Sequence, residues 1–185
     1  MTNIHVWTPR RYNFNGFKEV LEEHPFFQNG KLGAVHIHYH QQLTAEVVYS
    51  IFTTALIERA HKNINILLFD DDELEDGCGL DKLLMTIRHM INVTKVHDKT
   101  FFLIADFIDF LYRDGTYTHR EIIRAKREIV SLVAQYPSRN IYCDFQGLID
   151  GIDCDAYNLP NEVGMKKLFE HFTIALRSRA PVGAF

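Results

Sequence analysis

The chain has 185 residues, 46% hydrophobic and 24% charged, enough apolar material for one sizeable core and no polar, highly charged stretch of the disordered kind. Twenty basic side chains against twenty-four acidic ones leave a net charge of −4, so the surface as a whole offers no general attraction for a phosphate backbone. Direct nucleic-acid contact is disfavoured, and Arg120, Arg124, Lys126 and Arg127, at helical spacing, read as a solvated helix face.

Residues 1–32 read as an amino-terminal extension packed on the sheet, with a short strand at Ile4 to Trp7 and a helix at Phe17 to Glu23. From Gly33 to His40 the run Ala-Val-His-Ile-His-Tyr-His has the period of two of a strand. Thr44 then caps a helix whose apolar positions Val47, Val48, Ile51, Phe52, Ala55 and Leu56 recur every three to four residues, to about His61. Ile64 to Phe69 is a short, wholly apolar run of the kind buried on both faces of a parallel sheet, and it ends in Asp70-Asp71-Asp72-Glu73.

A second helix carries Leu80, Leu83, Leu84, Ile87, Met90 and Ile91. Thr100 to Asp106 is the most apolar strand candidate, and Thr118 with Glu121 three residues on forms a capping box that starts a third helix. Tyr136-Pro137 closes it, Ile141 to Phe145 is a further strand, and an amphipathic helix spans about Asn161 to Ser178. Strand and helix alternate throughout, which predicts a single α/β domain over 1–185: a three-layer αβα sandwich around a mainly parallel sheet.

Ligands of such sheets bind beyond the carboxyl ends of the strands. His40, Thr44, Asp71 and Asp106 are accordingly the candidate binding residues, and the Phe107 to Tyr112 stretch is a candidate partner surface. His36, His38 and His40 share one face of their strand and offer an alternative metal site for zinc, iron or nickel, with hydrolytic chemistry. Cys78, Cys143 and Cys154 are odd in number and lack paired zinc or disulfide spacing, Cys143 reading as core. No apolar run approaches the roughly 18 residues of a membrane span. Together these point to a reducing, cytoplasmic setting without membrane contact.

The layout from residue 17 to 146 resembles the P-loop NTPases of the RecA-like and AAA-like kind. Phe17 to Tyr39 looks like their lead-in helix, turn and first strand, Phe101 to Asp109 is similar to a Walker B strand, and Ile141 to Phe145 falls where a sensor strand would. By register the Walker A octapeptide is His40-Gln-Gln-Leu-Thr-Ala-Glu-Val47. His40 and Ala45 replace its glycines, Glu46 its lysine, and Val47 its Mg²⁺-binding hydroxyl. Glycines let backbone N–H groups curl around phosphate and the lysine neutralises it, so this octapeptide implies a pseudo-ATPase that needs no cofactor and regulates or scaffolds a protein partner. Self-association stays open.

A second resemblance is to TIR domains, which cleave NAD⁺ with a glutamate on a helix after the third strand. Glu121 would be that catalytic residue and NAD the ligand, although the serine and tryptophan-cysteine landmarks before it are missing. Its spacing from Thr118 also explains Glu121 as half of a helix cap.

Overall fold

The computed structural model describes residues 1–57, 61–69, 79–107, 119–145, 147–157 and 159–179. Five strands carry the sheet: β1 (Thr2–Pro9), β2 (Leu32–His40), β3 (Lys62–Phe69), β4 (Thr100–Asp106) and β5 (Asn140–Asp144). The helices are α1 (Phe17–Glu23), α2 (Ala45–Ile57), α3 (Gly79–Val96), α4 (His119–Val133) and α5 (Glu162–Arg179), with 3₁₀ turns at Pro25–Phe27 and Gly151–Asp153.

Every pairing within this sheet is parallel and the strand order is β2-β1-β3-β4-β5. The predicted α/β sandwich is thus present, in one of the common doubly wound orders. The amino-terminal segment does more than pack on the sheet: β1 lies inside it, hydrogen-bonded to β2 on one side and β3 on the other. Its burial explains this, since every residue from Ile4 to Pro9 is buried, whereas β2 is only partly covered along most of its length. A half-covered strand reads as alternating, and β2 is accordingly an edge strand.

Two cores separate the layers. Ile4, Val6, Ile64, Ile66, Leu68, Leu103 and Cys143 point to α1 and α5, where Phe17, Phe169 and Phe172 meet them. Trp7, Leu67, Phe69, Phe102 and Ile104 point to α2, α3 and α4. Phe107, expected near a partner surface, is instead 1% exposed and stacks on Phe145 with ring centroids 4.5 Å apart; residues 108–112 lie outside the described residues.

Candidate functional site

The carboxyl ends of β1 and β2 open into a cavity of about 650 Å³ lined by Arg10, Tyr39, His40, Gln41, Gln42, Thr44 and Val47. His40 and Thr44, expected at a binding site, therefore do share one. β2 delivers His40 and the Arg10 N–H donates to its carbonyl at 2.8 Å. Thr44 precedes α2, and its Oγ1 accepts from the Val47 N–H at 3.4 Å. Glu46 stands exposed in the first turn of α2, where a carboxylate offsets the helix dipole. Arg10 directly follows β1, whose place beside β2 the chain order did not disclose.

Asp106 lies apart from this cavity, three strand positions along the sheet. It is fully buried at the end of β4, beside Asp144 of β5. The Tyr142 hydroxyl donates to Asp106 Oδ2 at 2.6 Å, and Lys126 Nζ from α4 lies 3.4 Å from Asp106 and 2.9 Å from Asp144. Lys126 is thus not on a solvated face: its side chain is 13% exposed, because it sits one residue after the buried Ala125 on the sheet-facing side of α4. Burial, the Asp106 charge and the hydrogen bond to it hold the Tyr142 phenol far above its ordinary range.

Asp71 lies outside the described residues, as do the other carboxylates of 70–76 and the Thr118 half of the capping box. Glu121 is exposed in the first turn of α4. Because β1 belongs to the sheet, that helix follows the fourth strand and not the third.

The histidines of β2 meet two partners from β1. Register places His5 beside His36 and Trp7 beside His38. The rings stack: His5–His36 at 4.9 Å and 17°, His5–His38 at 5.4 Å and 17°, Trp7–His38 at 4.0 Å and 11°. His5 Nδ1 and His38 Nε2 share a hydrogen bond at 3.1 Å, the Trp7 N–H donates to Asn65 Oδ1 at 3.2 Å, and Asn65 Nδ2 donates to Asn63 Oδ1 at 2.9 Å. Imidazole lone pairs lie in the ring plane, so rings stacked this way do not converge on one ion at about 2.0–2.1 Å. Among the described residues no group of three or more His, Cys, Asp or Glu side chains is placed to hold a metal. No helix among them is long and apolar enough to cross a membrane.

Compared with known proteins, the chain matches no family model, no curated protein and no solved structure.

A second cavity, of about 310 Å³, lies between the loop after β1 and the start of α5, lined among others by Asn13, Asn15, Asn161 and Lys166. Its wall is rigidly tied. Asn161 Oδ1 accepts from the Val163 and Gly164 N–H groups at 3.0 and 3.1 Å, and its Nδ2 donates to the Ile152 and Cys154 carbonyls. Lys167 Nζ donates to Asp153 Oδ2 at 2.7 Å, which holds the Asp153 carboxyl below its ordinary 3.8. A depressed carboxylate supports folding at neutral pH and loses that support only as pH falls below 3.8 toward the folded value. A Cβ at Gly164 would collide with the Asp153 carbonyl oxygen and press on Pro160. Gly164→Ala is expected to cost about 1–3 kcal/mol, read from the urea midpoint, since backbone must shift to admit the methyl group.

Proposed function

We propose that this chain is a non-catalytic α/β protein of P-loop-NTPase-like layout that works through protein contacts, as a regulator or scaffold of a larger assembly. The observation that carries the contact reading is α2. Its sequence, Ala-Glu-Val-Val-Tyr-Ser-Ile-Phe-Thr-Thr-Ala-Leu-Ile, is apolar around most of its circumference, yet its buried residues are Ile51 and Ala55, while Tyr49 is 72% and Ile57 75% exposed. Apolar side chains gathered on a helix face are normally covered. Phe52 packs edge-on to His89 of α3, whereas Tyr49, Leu56 and Ile57, seven to eight residues apart, share an exposed face. A partner surface laid there removes them from water.

The lack of turnover rests on charge. At the amino end of α2 the Thr44 hydroxyl takes a first-turn N–H and the Glu46 carboxylate answers the dipole, the two features a triphosphate would otherwise satisfy. ATP with Mg²⁺ is expected to give no saturable rise in melting temperature and no phosphate release, and Glu46→Ala is expected to change stability by under about 1 kcal/mol. Phosphate release from ATP that disappears in Glu46→Ala would overturn the reading. Nicotinamide release from NAD⁺ that disappears in Glu121→Gln would replace it with the TIR-like one.

A further inference from the structure

We infer that β2 is a self-association edge, pairing antiparallel with β2 of a second copy to join two five-stranded sheets into one of ten strands. This goes beyond the contact reading, which concerns α2, and stands or falls separately from it.

Alternate residues of a strand direct their N–H and C=O groups to opposite sides. The register shifts between Thr2 and Ile4, before which the Lys31 carbonyl accepts from the Thr2 N–H; beyond the shift the His40 carbonyl accepts from Arg10, so the even-numbered residues from Ala34 to His40 face β1. Val35, Ile37 and Tyr39 therefore aim theirs outward, and among the described residues β2 pairs with β1 alone. Exposed edges are ordinarily kept short or guarded by Lys, Pro or other charges. The opposite edge obeys this, for β5 has five residues and ends in Asp144. β2 runs for nine residues without a Pro or an Asp, Glu, Lys or Arg.

A second copy fits this strip for three reasons. A two-fold axis through His36 brings the outward groups of Val35 opposite those of Ile37 of the other copy, and those of Ile37 opposite Val35, so the two rows complement each other at the centre of the strip. Val35 and Ile37 then form apolar cross-strand pairs on the face where both are only half-buried. No like charges are brought together. The strip is about 30 Å long and about 10 Å deep, or about 300 Å² per copy, less than half of a standard interface. The dimer is accordingly weak and concentration-dependent.

Sedimentation velocity of the full chain from about 1 to several hundred μM is expected to show the mass rising from one chain to two. His36 is exposed and sits on the proposed axis. His36→Lys and His36→Glu should each weaken dimerisation at least roughly tenfold by setting like charges face to face, and an equimolar mixture of the two should restore it. Far-UV circular dichroism on each variant confirms that it is folded. A wild-type mass of one chain at the highest concentration, a dimer indifferent to His36→Lys, or two folded variants that fail to complement each other would overturn the proposal.

Discussion

Lys126→Ala is expected to lower the unfolding free energy by about 3–5 kcal/mol, seen as a lower urea midpoint at unchanged slope. The lysine meets two carboxylates, and Asp106 is fully buried. Without it the buried Asp106 charge keeps the Tyr142 hydroxyl but loses this ammonium, and a buried charge stripped of an ion-pair partner costs far more than an apolar group of the same size. Hence Asp106→Asn combined with Lys126→Met should cost less than Lys126→Ala alone. Asp144→Ala should cost only about 1 kcal/mol, because that carboxylate is 37% exposed and water takes over its solvation. A loss under about 1 kcal/mol in Lys126→Ala would place the pair among ordinary surface bridges.

The same cluster shapes the alkaline limb. Tyr142 stays protonated in the folded protein well above 10.0, its ordinary value, while in the unfolded chain it ionises near that value. Its support for the fold is complete below pH 10 and declines as pH rises above it toward the folded value, by about 1.4 kcal/mol per pH unit. Tyr142→Phe should remove one proton from that slope, whatever it does to stability at neutral pH.

Phe172→Ala is the second large effect, about 3–5 kcal/mol, or roughly 6–20 °C in melting temperature. Phe172 is fully buried on α5 and its ring touches Phe145 at 4.9 Å, Phe17 at 5.8 Å and Phe14 at 6.0 Å. Those three come from the sheet's end, from α1 and from the loop after β1, so the ring joins elements far apart in sequence. Truncation leaves a cavity whose walls belong to separate elements and cannot all close on it. Phe172→Leu, which keeps most of the volume, should cost under about 1.5 kcal/mol. Equal losses in the two variants would show that ring contacts, not filled volume, set the energy.

Much of the architecture was legible because its signals are local. Thr100 to Asp106 is buried at every position and reads as an unbroken apolar run; α4 and α5 announce themselves by period and by flanking polar residues. The candidate site was legible only in part. His40 and Thr44 lie four residues apart and inevitably share a strand exit, whereas Arg10 joins them through a pairing between segments thirty residues apart. The β2 histidines stayed unexplained in the sequence for the same reason, since His5 and Trp7, their stacking partners, sit on β1. Lys126 was misread as solvated because helical spacing does not tell which flank of a helix reaches a buried carboxylate.

The sequence by itself determined the α/β alternation, the placement of nearly every described strand and helix, and the negative charge at the head of α2, since hydrophobic period, capping residues and side-chain charge act over a few residues. The tertiary structure alone decided that β1 enters the sheet, that β2 becomes its edge, and that Asp106, Lys126, Tyr142 and Asp144 close on one another. Strand order and buried charge pairing depend on contacts between segments far apart in the chain, and no local pattern carries that information.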